Sequence, residues 1–285
     1  TPGNIATGLT FDGELLWVAD RAAKKLYGMN PANGKVKKEL ESPAYWPMGM
    51  TWDGEALWNV DVKGGIPLSE NYHGVAYRID PENGEVLRTV KLSVSKAQGL
   101  AWDGRYLWVA DDGLNVIEQV NANDGTTIKS FPSPTLNPNG MTFDGKYLWI
   151  SDRYRDEIYM VSPRDGSVIQ ILEAPGHYTH GLAVANGHLW AADSEADEIF
   201  KLIKSDKDRY RRYNAKKVRV THTHEATNFG PGMLTDLDIH LAIPTDRPNQ
   251  DIEGEITFSD GMTDKPEDHW GQKTAHYKQQ NIKPG

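Results

Sequence analysis

The sequence predicts an all-β chain, and three observations carry the prediction. One hairpin pattern recurs five times, tight-turn dipeptides punctuate it at regular places, and the C-terminal stretch alternates polar and apolar residues. The first copy of the pattern runs from Gly8 to Asp20 as GLTFDGELLWVAD. Further copies run from Gly49 to Asp61, Gly99 to Asp111, Gly140 to Asp152 and, more weakly, Gly181 to Asp193. Their tryptophans, Trp17, Trp58, Trp108, Trp149 and Trp190, stand 41, 50, 41 and 41 residues apart. A period near 40 with several short strands per unit signals a radial array of small sheets, a β-propeller. Residues 1–213 are therefore expected to form a five-bladed β-propeller. Residues 214–285 are expected to form a small immunoglobulin-like β-sandwich, short for a complete one.

The first unit shows how a blade is written. Ile5 to Phe11 alternates small and apolar residues and reads as strand a. Asp12-Gly13 is a tight turn whose residues tolerate positive φ. Leu15 to Asp20 is strand b, Lys25 to Asn30 strand c, and Lys35 to Leu40 strand d, with Asn33-Gly34 turning between the last two. Later units repeat the a–b turn at Asp53-Gly54, Asp103-Gly104, Asp144-Gly145 and Asn186-Gly187. The c–d turn recurs at Asn83-Gly84, Asp124-Gly125 and Asp165-Gly166. Unit five lacks it, so its outer strand is expected at Arg209 to Tyr213. The repeated Trp is expected to be largely buried between neighbouring blades, where a large flat ring fills the wedge.

Composition narrows the function. A net charge of -9 argues against nucleic acid and anionic membrane as partners. No apolar run is long enough to span a bilayer as a helix. The absence of Cys excludes disulfides, thiolate metal sites and a cysteine nucleophile in this chain. The chain opens at Thr1 with a strand due at Ile5, which points to a removed leader or tether and to a secreted, cell-surface or periplasmic location. No cofactor is expected.

Propeller geometry places the a–b and c–d turns on one face, and the b–c loops and inter-blade links on the other. The turn face is uniform and expected to be inert. The other varies, as functional loops on a fixed scaffold do. At its channel mouth the residue before each repeated Gly is Thr7, Met48, Gln98, Asn139 or His180. Strand b closes on Asp20, Asp61, Asp111, Asp152 or Asp193, each of which reads first as a loop cap accepting backbone N–H groups. The next positions hold Arg21, Val62, Asp112, Arg153 and Ser194, and the links add Tyr45, Trp46, His177 and Tyr178. An insertion at residues 63–73 adds Tyr72. The expected ligand site is thus Trp46, Tyr72, Gln98, Asn139, Tyr178 and His180, with Arg21 and Arg153. Aromatics with a few amides suit a peptide or carbohydrate. The same ring could simply plug the channel. Calcium loops place carboxylates close in sequence, and only Asp111-Asp112 approaches that, so no metal is expected.

In the tail, strands are expected at Lys217 to Thr227, Leu234 to Ile243, Ile252 to Ser259 and Lys273 to Gln280, with a turn at Asn228 to Gly232. His222 and His224 share a strand face and read as a solvated pair, because a closed zinc site needs four ligands.

Two resemblances follow from these motifs. The run Asn228-x-Gly230-Pro231-Gly232, then Ala242-Ile243-Pro244 with Asn249-Gln250, then Asp268-His269-Trp270-Gly271-Gln272-Lys273, resembles the β-sandwich that precedes the catalytic core in bacterial transglutaminase-like proteins. That implies a longer protein with a downstream catalytic domain. The Cys-His-Asp triad of such a core cannot be placed on a chain without Cys. The hairpin repeat resembles those of streptogramin lyases and of plant-type glutaminyl cyclotransferases. The cyclotransferases carry an acidic residue inside strand b, where this chain has Val18, Asn59, Val109, Ile150 and Ala191. Three functions stay open: a non-catalytic recognition or docking module, a propeller enzyme using His180 with Asp20 or Asp193, and a structural spacer.

Overall fold

A computed structural model describes residues 1–62, 73–203, 216–246, 250–265 and 272–285. The chain divides into two compact units, Thr1–Ser205 and Asp206–Gly285. The expected boundary at 213/214 lies outside the described residues, as do Tyr72 and the strand expected at 209–213.

No helix occurs among the described residues. In the first unit, β1 (Ala6–Phe11), β2 (Leu16–Asp20), β3 (Lys25–Met29) and β4 (Val36–Glu41) form an antiparallel sheet in chain order. The same meander repeats as β5 (Pro47–Trp52), β6 (Leu57–Asp61), β7 (Val75–Ile79) and β8 (Val86–Lys91). It repeats again as β9 (Ala97–Trp102), β10 (Leu107–Asp111), β11 (Val116–Val120) and β12 (Thr127–Pro132). The fourth sheet is β13 (Pro138–Phe143), β14 (Leu148–Asp152), β15 (Glu157–Val161) and β16 (Val168–Glu173). The last has three described strands, β17 (Thr179–Ala185), β18 (His188–Asp193) and β19 (Glu198–Lys201).

The innermost strands β1, β5, β9, β13 and β17 neighbour one another in that order, and β17 returns against β1. The repeated glycine permits this crowding. A Cβ on Gly99 would lie 2.2 Å from the carbonyl oxygen of Asn139, and one on Gly140 2.3 Å from that of His180. Each repeated glycine is where the backbone of the next sheet passes too close for a side chain.

The Asp-Gly turn and the Trp five residues later form one device. Asp103 Oδ1 accepts the N–H groups of Arg105 and Tyr106, while Oδ2 accepts the indole N–H of Trp108 at 2.8 Å. Asp12, Asp53 and Asp144 do the same for Trp17, Trp58 and Trp149. Burial pulls the Asp53 carboxyl upward, but bonds from Arg78, Ala56, Trp58 and Glu55 outweigh it and hold the group below the usual carboxylate value. The turn therefore aims the indole across the gap to the following sheet. Trp17 packs with Met50, Leu57 and Ile79, and Trp108 with Met141, Leu148 and Tyr159. Trp190 packs against Leu9, Leu16 and Val18 of the first sheet. The expectation of uniform burial needs correcting. Trp17, Trp58 and Trp108 are buried, whereas Trp149 and Trp190 are half-buried. Five residues before Trp190 stands Ala185 in place of the turn Asp, and the indole reaches only the Ala185 carbonyl at 3.3 Å.

The second unit departs from the expected sandwich. Its described strands, β20 (Leu234–Ala242), β21 (Met262–Lys265) and β22 (Thr274–Ile282), form one sheet in the order β20-β22-β21. Residues 217–227 and 252–259 form no strand. Period-two alternation marks a face but names no partner. Val218 and Val220 are 73% and 84% exposed, with no second layer over them among the described residues. Among this unit's described residues, Ala275 and His276 are the buried side chains. Asn228 holds the expected turn, accepting from Gly230 N–H and donating to the carbonyls of Gly232 and Ile282.

Candidate functional site

Each innermost strand opens on a bulge, and the mouth ring sits in it. Pairing passes from Ala6 opposite Asp20 to Gly8 opposite Ala19, leaving Thr7 unpaired. Gln98 and His180 are skipped in the same way, as are Met48 and Asn139 together with their following glycines. A bulge re-aims the side chain of the extra residue. All five side chains are buried.

Two of the five are already committed. Thr7 Oγ1 donates to the Pro47 carbonyl at 2.6 Å, and Met48 packs in the core between the second and third sheets. The other three, on consecutive sheets, keep buried polar atoms without partners, although the Gln98 side chain also bonds Asp112. Gln98 Oε1, Asn139 Nδ2 and both ring nitrogens of His180 have no hydrogen-bond partner among the described residues. Asp112 Oδ1 and Arg153 Nε are in the same condition, although these two side chains approach each other at 3.8 Å. Buried polar atoms left unpaired are costly and uncommon, so a cluster of them demands an explanation.

Aromatic rings wall this cluster on one side. Tyr178 stands edge-on to His180 at 6.1 Å between ring centroids, and Tyr154 edge-on to Tyr178 at 5.9 Å. The Arg153 guanidinium lies 4.7 Å from the Tyr154 ring centroid. Burial, with Arg153 and Arg21 adding repulsion and Asp193 opposing, pushes the His180 imidazole down to about 4. It is neutral at pH 7, with one donor and one acceptor nitrogen. Burial pushes the Asp112 carboxyl up, against the pull of Lys96 and Arg153.

The His180 shift has a measurable consequence. The unfolded chain takes up this proton near the ordinary value of 6.5, the folded chain only near 4. Between those values the unfolded state binds more protons, so stability falls as pH drops through that window. Replacing His180 with Gln is expected to flatten the fall between pH 6.5 and 4, read by urea denaturation at several pH values. A slope identical in both proteins would show that His180 is not buried neutral.

The strand-b aspartates are loop caps. Asp193 accepts N–H groups from Tyr178 on the incoming link and from Glu195 and Ala196 in the b–c loop. Asp111 serves Lys96, Gly113 and Leu114 alike, and Asp20 serves Ile5 and Ala23. Neither Asp20 nor Asp193 hydrogen-bonds His180, so the acid–base pairing considered from the sequence is absent from this geometry. Trp46 stacks with Tyr45 at 6.3 Å on another link, where its backbone N–H donates to Asp61. Arg21 reaches the cluster through its charge on His180. Sequence reasoning left Asp112 and Tyr154 out of the site. Asp112 stood in the alignment of residues that follow each strand-b Asp, and carrying that alignment one position further reaches Tyr154.

The turn-rich face, expected to be inert, carries two clefts in the wedges between sheets. One of about 610 Å³ is lined by Trp58, Arg78, Arg88, Trp102 and Arg105, and one of about 410 Å³ by Tyr106, Trp108, Lys129 and Arg164. Their cations are largely engaged at home. Arg78 pairs with Asp53 at 2.6 Å and Glu55 at 3.0 Å, and Arg88 bonds Asn123.

No protein-family profile and no curated protein matches this chain. Solved structures do. Glutaminyl cyclase from Myxococcus xanthus is 14% identical with a TM-score of 0.59, over 70% of this chain and 90% of that one. The nidogen/laminin complex matches at 17% identity and a TM-score of 0.49, over 70% and 76% of the two chains. A catalytically inactive virginiamycin B lyase from Staphylococcus aureus, solved with quinupristin, matches at 21% identity and 0.44, over 72% and 69%. The cyclase likeness is one of fold. Together with the repeated four-stranded antiparallel sheets, it defines the first unit as propeller-like and all-β. The transglutaminase-like expectation for residues 214–285 gains no support from these comparisons.

Proposed function

We propose that residues 1–213 form a five-bladed propeller that acts as a non-catalytic recognition module, binding a peptide or carbohydrate segment at the mouth around Gln98, Asn139, Arg153, Tyr178 and His180. The module would serve a larger secreted or surface protein and dock its substrate for a further, transglutaminase-like domain. The observation that supports binding is the run of buried, unpaired polar atoms on three consecutive sheets. Gln98 Oε1 accepts, Asn139 Nδ2 donates, and neutral His180 does one of each. That set matches the mixed donors and acceptors of a peptide group or of sugar hydroxyls. A general base needs a pKa near the working pH and a partner that orients it. His180, pushed down to about 4 with neither nitrogen bonded, has neither.

Screening the chain on glycan and peptide arrays, then titrating a hit by calorimetry, tests this. Asn139→Ala and His180→Ala are each expected to weaken binding at least about tenfold, which corresponds to ~1.4 kcal/mol. Glu55→Ala on the opposite face is expected to change nothing. A ligand indifferent to both mouth substitutions would refute the assignment. Turnover of the ligand, abolished by His180→Ala, would transfer the site to the enzyme class.

A further inference from the structure

We propose that Asp238, His240 and His276 form a binding site for a divalent transition-metal ion of the zinc type, independent of the propeller mouth. Asp238 and His240 are two residues apart on β20 and so share a face. The antiparallel register sets His276 of β22 directly opposite His240. One ligand atom from each of the three lies within 4.8 Å of the others. Tetrahedral zinc at ~2.0–2.1 Å from nitrogen and oxygen needs ligand atoms about 3.3 Å apart, within reach of small side-chain rotations.

The contacts around His276 place its ring for this role. Thr263 Oγ1 lies 3.2 Å from His276 Nδ1 and 3.3 Å from the His276 carbonyl oxygen. His276 Nε2 faces Asp238 Oδ1 at 2.6 Å, and the His240 ring stacks on the His276 ring at 4.5 Å and 23°. In the tautomer that carries its proton on Nδ1, the Nε2 lone pair is turned toward Asp238, and an ion between them takes both as ligands. Thr263 then plays the part of the outer partner that fixes the tautomer of a ligating histidine. Lys278, opposite Asp238 in register, approaches Asp236 at 3.5 Å.

The donor set selects the ion. Two imidazoles and one carboxylate suit Zn²⁺ and its relatives, and suit Ca²⁺ or Mg²⁺ poorly, because those prefer oxygen. The three ligands found among the described residues leave a fourth position to be filled. The Asp238 side chain is 48% exposed, so the ion would be accessible and exchangeable. The histidine pair considered from the sequence, His222 and His224, takes no part.

Chelator-treated, tag-free protein titrated with Co²⁺ and then Zn²⁺ tests the proposal. One ion per chain is expected at micromolar concentration, with visible d–d bands for Co²⁺ that Zn²⁺ displaces. His276→Gln removes a buried ring, so the exposed Asp238→Asn and His240→Gln serve as companion variants. Each is expected to weaken binding at least roughly tenfold, with the circular dichroism spectrum unchanged for Asp238→Asn. The His222→Gln/His224→Gln double variant should bind like the parent. Failure of the parent to bind either ion at micromolar concentration would overturn the proposal, as would binding undiminished in Asp238→Asn and His240→Gln.

Discussion

Trp108→Ala is expected to remove about 3–5 kcal/mol of stability, as for a large core aromatic, a large share of the ~5–15 kcal/mol typical of a folded domain. The ring is 1% exposed and fills the wedge between the third and fourth sheets, against Met141, Leu148 and Tyr159. Phe131 tilts against it at 5.8 Å, and Lys129 lies over it at 5.4 Å. Its indole N–H donates to Asp103 Oδ2, so truncation removes one of that oxygen's two donors, leaving Gln119, as well as opening a cavity. Trp108→Phe keeps most of the packing and loses the indole bond, so it should cost markedly less. Trp190→Ala should also cost less, because that ring is half-buried and its indole bond is long. Urea denaturation followed by circular dichroism ranks the three. Equal losses for Trp108→Ala and Trp190→Ala would show that inter-sheet packing does not set the stability of this ring.

What the sequence disclosed, and what it hid, follows the range of the interactions involved. The Asp-Gly turn, the Trp after it and the Asp that closes strand b all act within about one hairpin. Their repetition made the meander legible, down to the turn positions where Gly13, Gly54, Gly104 and Gly145 take positive φ. The phase of the repeat also located the ring of bulge residues Thr7, Met48, Gln98, Asn139 and His180. It did not show which members were free, because Thr7 and Met48 are committed by partners one sheet away. In the second unit the period was right for strands over Leu234 to Ala242 and Thr274 to Ile282, and wrong for 217–227 and 252–259. Alternation reports two faces and says nothing of a neighbour to pair with. His240 and His276 were invisible as a pair for the same reason, since only the register of β20 against β22 sets them opposite.

Gly99→Ala is expected to cost more than about 3 kcal/mol, above the usual range for one added methyl in a packed core. The new Cβ would stand 2.2 Å from the Asn139 carbonyl oxygen, 2.9 Å from Met141 Cβ and 3.1 Å from the Met141 backbone nitrogen. None of these is the loose end of a flexible side chain. Either β9 or β13 must move, and both are held in a ring whose other inner strands pass their neighbours just as closely. Gly104→Ala in the same sheet separates this effect from backbone preference. Gly104 sits in the a–b turn at φ +95 with nothing within 4 Å of a Cβ, so substitution there meets only the cost of a positive φ, about 1–2 kcal/mol. The two glycines thus differ in cause: one provides a turn, the other closeness. The mouth registers the difference too. Separating β9 from β13 draws Gln98 away from Asn139, so a ligand held by both should be lost from whatever Gly99→Ala protein still folds, while Gly104→Ala binds normally. Denaturation curves and calorimetric titration on the two variants measure both effects. A Gly99→Ala protein as stable as Gly104→Ala would mean that the inner strands stand farther apart than the glycine contacts require, and that the ring at the mouth owes its geometry to something else.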